Sequence, residues 1–133
     1  MSEKPQAFPR SERIRDAGDF TVILRTGSRV RGRLMDAWWA PDPHPAPDGR
    51  NRIGIAAGKK LGSAPVRSLL KRRIREAYRR NKKELSWRGV AVIFMASRRM
   101  IGASAQEVEA DLHRLLSRLE ADSTGGASSR SGC

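Results

Sequence analysis

The sequence predicts an α+β fold, a two-layer α-β sandwich in which helices cover one face of a mixed sheet and the elements follow the order α-β-β-α-β-α. Apolar residues recur at helical spacing in residues 66–83 and 104–119. Residues 29–40, 51–58 and 90–96 carry the branched and aromatic residues typical of strands. A length of 133 residues suits one domain, for which we expect a flexible arm (1–12), a folded unit (13–121) and a disordered tail (122–133).

The first half of the chain predicts one helix and two strands. A helix begins near Asp16, in a capping-box-like segment, and ends before Gly27. The next twelve residues, 29–40, lack a helix cap and predict one long strand, and the proline-rich segment 41–49 predicts a loop. In residues 51–58, large side chains on one face alternate with Gly54 and Ala56 on the other, which lets another chain approach that strand closely.

The second half predicts helix, strand and helix. Pro65 suits the first turn of a helix that continues to about Lys83 and has an apolar stripe that includes Leu69 and Leu70. Glu76 can pair with residues four positions away on either side, Arg72 and Arg80. The apolar run 90–96 predicts a strand buried on both faces, and the capping box at residues 104–107 starts a last, acidic helix that we expect to pack on the sheet.

The net charge of +13 is concentrated in a quarter of the chain. Residues 50–83 contain 13 basic side chains and one acid, whereas the other 99 residues are nearly neutral. Such clustering favours nucleic acid as the first partner and an anionic membrane as the second. A membrane-binding helix needs an exposed apolar face, and here that face is committed to the core.

Other features place the chain among cytoplasmic proteins. The N-terminus lacks the apolar region of a secretory signal, and no apolar run is long enough to span a membrane. Cys133 is the single cysteine, so we expect neither an intrachain disulfide nor a cysteine-built metal site.

The residues do not predict an autonomous active site. An acid–base ribonuclease needs two converging imidazoles, but His44 lies in the proline-rich loop and His113 on the acidic helix. A metal-dependent nuclease needs several carboxylates together, and Glu76 is the one acid in the basic segment. We therefore predict no catalytic residue and no metal ligand in the protein.

Two features suit RNA. The helix face with Lys71, Arg75, Arg79 and Lys82 can contact about four to six phosphates. A second site is an open sheet face, where Phe20 and Trp38 would stack on bases beside Ile55 and Ala57. Strand alternation puts one of Trp38 and Trp39 in the core, and the sequence leaves open which one.

Residues 59–78, KKLGSAPVRSLLKRRIREAY, resemble the signature of the bacterial ribonuclease P protein subunit. In that family a basic turn after a strand leads into a helix with an Arg-Asn-Arg core. The resemblance extends over roughly residues 10–120 and includes Asp19-Phe20 in the first helix, Gly27-Ser28 after it, and Arg33 and Trp38 in the long strand.

The resemblance implies a protein that assists a catalytic RNA in removing the 5′ leader from precursor tRNA. It implies a left-handed β-α-β crossover and a further strand, and it assigns the chemistry to the RNA and its Mg²⁺ ions, with no cofactor bound by the protein alone. The single-stranded leader would lie on the sheet face, in a cleft formed by Phe20, Trp38, Ile55, Ala57 and Lys59. The catalytic RNA would bind the basic turn and helix through Lys60, Arg67, Ser68, Lys71, Arg72, Arg75 and Arg79.

The chain departs from the family pattern within the helix core. Ser68 stands where the family has Asn, Leu69 where it usually has the second Arg, and Gly58 where a Ser precedes the lysines. Extra arginines at 73, 79 and 80 are candidates to replace the lost contacts. Two alternatives remain open: a structural, ribosome-associated RNA-binding protein, and a protein nuclease.

Overall fold

The computed structural model describes residues 13–14, 16–45, 47–81 and 88–124, with side chains up to residue 119 in the last helix. Three helices lie in this part of the chain: α1 (Ala17–Thr26), α2 (Ala64–Asn81) and α3 (Ala105–Thr124). Its four strands are β1 (Ser28–Arg31), β2 (Met35–Pro41), β3 (Arg52–Ala56) and β4 (Val90–Ala96). The α+β class is confirmed, in the order α-β-β-β-α-β-α.

The predicted ends of the domain are only partly covered by the described residues. The predicted arm, residues 1–12, lies outside them, as do residues 125–133. Helix α3 continues three residues into the segment predicted to be a disordered tail.

Local side-chain contacts start two of the helices where the sequence predicts. The Asp16 carboxylate accepts a hydrogen bond from the Gly18 N–H at 2.7 Å. At the start of α3 the Ser104 N–H donates to Glu107 at 2.8 Å, and the Glu107 N–H donates back to the Ser104 hydroxyl at 3.1 Å. These bonds satisfy N–H groups that have no partner inside the helix, and they confirm the predicted capping box.

The prediction of one long strand over residues 29–40 is wrong, because the chain turns back within it. The Gly32 N–H donates to the Met35 carbonyl at 2.9 Å, which closes the hairpin between β1 and β2. The buried carboxylate of Asp111, from α3, accepts the N–H groups of Arg33 and Leu34 at 3.0 and 2.9 Å. A partner 78 residues away thus stabilises a turn that local pattern did not reveal.

The sheet is mixed, with strand order β1-β2-β4-β3. The β1/β2 and β2/β4 pairs are antiparallel, whereas β3 and β4 are parallel and connected through α2. Such a β-α-β connection is the one that the resemblance implied, and its left hand stays a prediction.

The main core lies between the sheet and the pair α2/α3. Helix α2 contributes Leu70, Ile74, Ala77 and Tyr78, and α3 contributes five apolar residues of its predicted stripe, against strand side chains such as Phe94. Leu69, which the helical pattern had placed in the apolar stripe, is instead 45% exposed.

The opposite face of the sheet is not entirely free, although we expected the helices to cover one face only. Helix α1 packs there through the fully buried Ile23, and Phe20 and Leu24 lie partly buried beside it. The buried Ile93 of β4 belongs to the same cluster. Helix α1 therefore covers part of this face and borders the remaining open part.

Candidate RNA-binding surfaces

Phe20 lies directly over the backbone of strand β3. A Cβ atom placed on Gly54 would be 2.7 Å from Cζ of Phe20 and 2.8 Å from its Cε2, distances that real Cβ contacts do not reach. The ring can occupy this position because residue 54 is glycine. Close packing of helix on strand leaves Phe20 only partly buried, with part of its surface available.

Trp38, and not Trp39, lies on the same sheet face as Phe20. Trp38 pairs in register with Ile93 of β4 and packs against the α1 cluster, whereas Trp39 packs against the helical core. The Arg29 guanidinium lies 5.0 Å from the centroid of the Trp38 ring and also pairs with Asp36 at 2.5 Å. This arrangement decides the alternative that strand alternation left open.

The prediction that Ile55 and Ala57 share the face of Trp38 is wrong. Both pack against the helical core, and Ile55 pairs in register with the buried Phe94. Because side chains alternate along β3, Gly54 and Ala56 occupy the open face instead, as their small size in the sequence already indicated.

Met95 of β4 is a residue of this face that the sequence reasoning missed. It pairs in register with Ala56 on one side and with Asp36 on the other, and it is half-buried. Its position inside an uninterrupted apolar run concealed it. We call the surface formed by Phe20, Trp38, Gly54, Ala56 and Met95 the sheet cleft.

A buried ion cluster attaches α1 to the sheet beside the cleft. Arg52 donates to Asp42 at 2.7 and 2.8 Å and to Asp19 at 2.9 Å. The side chain of Asp42 is fully buried, and that of Asp19 nearly so. His44 Nδ1 lies 2.8 Å from the other oxygen of Asp19.

This cluster shifts the pKa of two of its members, Asp19 and Arg52. The hydrogen bond from Arg52 holds the pKa of Asp19 below its ordinary value, against the opposing effect of burial. The hydrogen bonds that Arg52 donates to Asp42, and next those to Asp19, raise the pKa of Arg52. Local sequence pattern placed Asp19 in the first helix and His44 in the proline-rich loop but did not reveal this contact, because the partners of Asp19 are 33 and 25 residues distant.

Helix α2 and the turn before it present the predicted basic surface. Lys59 and Lys60 are exposed in a short 3₁₀ turn after β3, and Ser68 and Arg72 are exposed on the helix. Arg67, Lys71, Arg75 and Arg79 are partly exposed. The Arg67 Nε donates to the Gly62 carbonyl at 3.2 Å, which connects the turn to the helix. Lys82 lies outside the described residues.

The ion pairs of α2 differ from the predicted ones. Glu76 pairs with Arg79 at 2.6 Å, three residues away, and Arg79 lowers the pKa of Glu76. Arg80 reaches across to Glu109 of α3 at 3.3 Å. Neither of the two predicted partners of Glu76 forms this pair, and one predicted RNA contact, Arg79, is already engaged by a carboxylate.

The two histidines do not converge on one site. His44 contacts Asp19 on the α1 side of the sheet, whereas His113 Nδ1 lies 3.2 Å from Asn81 Oδ1, between α2 and α3. Within the described part of the chain, no group of three His, Cys, Asp or Glu side chains is arranged to hold a metal ion. None of the helices described is both long and apolar enough to cross a membrane.

Comparison with known proteins agrees with this geometry. The family model described as Ribonuclease P matches residues 8–120. The ribonuclease P protein component of Alkaliphilus oremlandii is 35% identical over 107 residues, which is 80% of this chain and 90% of that protein. The corresponding protein of Pelotomaculum thermopropionicum is 40% identical over 102 residues, 77% of this chain and 87% of the relative.

Solved structures of two proteins share the fold. The RNase P protein from Thermotoga maritima superimposes with a TM-score of 0.70 at 26% identity, over 80% of this chain and 96% of the other. The Staphylococcus aureus RNase P protein gives a TM-score of 0.69 at 24% identity, over 82% and 95% of the two chains, and shows the fold alone. The sequence signature, the shared fold and the family match lead to one conclusion: this chain belongs to the bacterial ribonuclease P protein family.

Proposed function

We propose that this chain assists a catalytic RNA in cutting the 5′ leader from precursor tRNA, by binding the leader and the RNA on two different surfaces. The observation that carries the proposal is their placement on opposite faces of one sheet. The sheet cleft combines two aromatic rings with small residues, and the helix α2 surface combines seven predicted RNA contacts with one acid, Glu76.

The sheet cleft suits a single-stranded leader. Single strands bind through stacking of bases on aromatic rings and through close approach of the backbone, and neither needs a particular base. Trp38 and Phe20 supply rings, and Ala56 leaves room above β3. Lys59, exposed just after β3, supplies a cation for a leader phosphate.

The basic helix suits the catalytic RNA. Lys60, Arg67, Ser68, Lys71, Arg72 and Arg75 lie on or just before α2, and neither Arg72 nor Arg75 pairs with a carboxylate among the described residues. One guanidinium group can donate two parallel hydrogen bonds to phosphate oxygens, and each phosphate contacted releases counterions. Ser68, in place of the family Asn, offers a hydroxyl instead of an amide for a hydrogen bond.

The chemistry in this proposal belongs to the RNA, whose Mg²⁺ ions would activate water at the scissile phosphate. The protein would bind and orient the leader and supply no catalytic side chain. We place the complex in the cytoplasm, where precursor tRNA is transcribed.

Cleavage of precursor tRNA by a ribonuclease P RNA, with and without this protein at low Mg²⁺, tests the proposal. We expect stimulation that increases when a leader is present on the substrate. Absence of stimulation would contradict it, and co-purification with ribosomal RNA alone would favour the structural RNA-binding alternative. Cleavage of an RNA substrate by the protein in the absence of the catalytic RNA would favour the nuclease alternative.

A further inference from the structure

A second concentration of arginines lies between the β1/β2 turn and α3, away from both surfaces described above. Three separate segments of the chain contribute to it, and we call it the arginine groove: Arg31, Arg33, Arg99, Arg114 and Arg118. A cavity of about 320 Å³ and an adjoining one of about 210 Å³ share Arg33, Asp111 and Arg114 in their walls. In sequence these arginines are scattered through the nearly neutral part of the chain.

The two acids at the groove are already committed to the fold. Both oxygens of the buried Asp111 accept backbone N–H groups of the β1/β2 turn. Glu107 accepts the Ser104 N–H in the capping box of α3. Five guanidinium groups against these two carboxylates leave a net charge of +3 in a concave site.

Two of the arginines help to build the groove, and the side chains of the other three have no partner among the residues that the structure describes. Arg99 donates to the Arg33 carbonyl at 2.6 Å, and Arg118 donates to the Arg31 carbonyl at 2.9 Å, so each holds the turn through backbone. The exposed side chains of Arg31, Arg33 and Arg114 make no hydrogen bond or ion pair with any residue described. The repulsion between like charges held together in a concavity falls when an anion binds between them.

The groove opens on the helical side of the sheet. Leu34 and Ala103, in its wall, pack against the same core as α2, and the buried Leu115 belongs to that core. The sheet cleft lies on the other face. A ligand in the groove therefore approaches from the side of the basic helix rather than from the side of the leader.

Strand register puts the arginine groove and the basic turn before α2 at the same end of the sheet. Met35, at the β1/β2 turn, pairs with Ala96 at the end of β4, and Ala56, at the end of β3, pairs with Met95. Arg99 follows β4, and Lys59 and Lys60 follow β3, so basic residues border one end of the sheet. That end spans about 14 Å, three strand spacings.

We propose that the arginine groove binds a backbone phosphate of the catalytic RNA, and that it extends the contact made by α2 along the end of the sheet. The proposal rests on the proposed function for the identity of the RNA. A phosphodiester fits because the planar guanidinium donates two parallel hydrogen bonds to phosphate oxygens, and because the residual charge is positive.

The test is the salt dependence of binding to the catalytic RNA alone, measured by filter binding for the variants Arg33→Ala, Arg114→Ala and their double. Each single variant should lower the slope of log K against log salt by about 0.7–0.9 and weaken binding about tenfold. The double variant should lower the slope by about 1.4–1.8. Arg33→Lys should keep the slope but not the full affinity, since an ammonium lacks the planar fork.

Arg25→Ala is the matched control, because Arg25 is exposed on α1 and lies on the other side of the sheet. An equal loss of affinity for Arg25→Ala, or an unchanged salt slope for the double variant, would overturn the proposal. Either result would indicate a general electrostatic attraction by the positively charged protein. Titration with inorganic phosphate, followed by NMR shifts of the β1/β2 turn, supplies another arm. Shifts with phosphate but no effect of the variants on RNA binding would overturn the assignment to RNA. Failure to stimulate cleavage would instead count against the proposed function.

Discussion

Exchanging each of the two adjacent tryptophans for alanine tests whether Trp38 binds the leader while Trp39 stabilises the core. Trp38 lies on the open face, with Arg29 5.0 Å from its ring centroid, whereas Trp39 packs against the helical core. We expect Trp38→Ala to weaken leader binding while leaving the fold intact. We expect Trp39→Ala to destabilise the fold. The pair is matched because the two residues are neighbours in one strand and lose the same side chain.

The expected size follows from the geometry of the ring. Arg29 lies over one face of Trp38 and the residue is partly buried, so we expect at most one base to stack on the ring. Stacking of one base contributes about 1–3 kcal/mol, so Kd for leader-bearing substrate should rise about 5- to 150-fold. Trp39→Ala removes a partly buried indole from the main core and should lower the free energy of unfolding by about 3 kcal/mol.

The assay measures binding of precursor tRNA and of mature tRNA to the protein assembled with catalytic RNA, together with urea unfolding of each protein variant. Trp38→Ala should weaken precursor binding and spare mature tRNA. Equal losses for both tRNAs would refute the stacking role. An unfolding midpoint for Trp38→Ala as low as that of Trp39→Ala would show that Trp38 belongs to the core.

Three further changes test other parts of the structure. Gly54→Ala puts a Cβ within 2.8 Å of two Phe20 ring atoms, so the ring must move, and precursor affinity should fall while mature tRNA binding, measured in parallel, stays constant. Arg75→Ala should weaken assembly with the catalytic RNA and make its salt slope shallower by about one unit in the same filter-binding assay, without a leader-specific effect. Asp19→Asn should destabilise the protein at pH 7, and the difference from wild type should shrink below about pH 4 in urea unfolding. Arg52 lowers the pKa of Asp19, so this stabilisation is present above the unfolded pKa and is lost as pH falls through the folded one. A difference independent of pH would contradict that role.

Local pattern in the sequence was enough for most of the elements. The helical spacing of apolar residues predicted α2 and α3, and the run 90–96 predicted β4 with its bounds. The capping box at Ser104 and Glu107 formed as expected. These features depend on residues a few positions apart, so their physics is contained in short segments.

The features that the sequence did not predict depend on residues that are distant along the chain. The turn at Gly32 is held by Asp111, the partners of Asp19 are Arg52 and His44, and none of these pairs is close in sequence. Alternation showed that Ile55 and Gly54 face opposite ways, but it did not show which of those faces Trp38 shares. The register of β2 and β3 on β4 decides that question.

Charge follows the same division. The basic segment 50–83 could be recognised directly, because its cations lie close together in sequence, most of them in one helix and the turn before it. The arginine groove could not, because Arg33, Arg99 and Arg114 come from a hairpin turn, a 3₁₀ turn and a helix that only folding brings together. Sequence alone therefore established the class of fold and the helix that suits RNA. Tertiary packing decided which ring faces the cleft and where the remaining arginines converge, because both depend on contacts between distant segments.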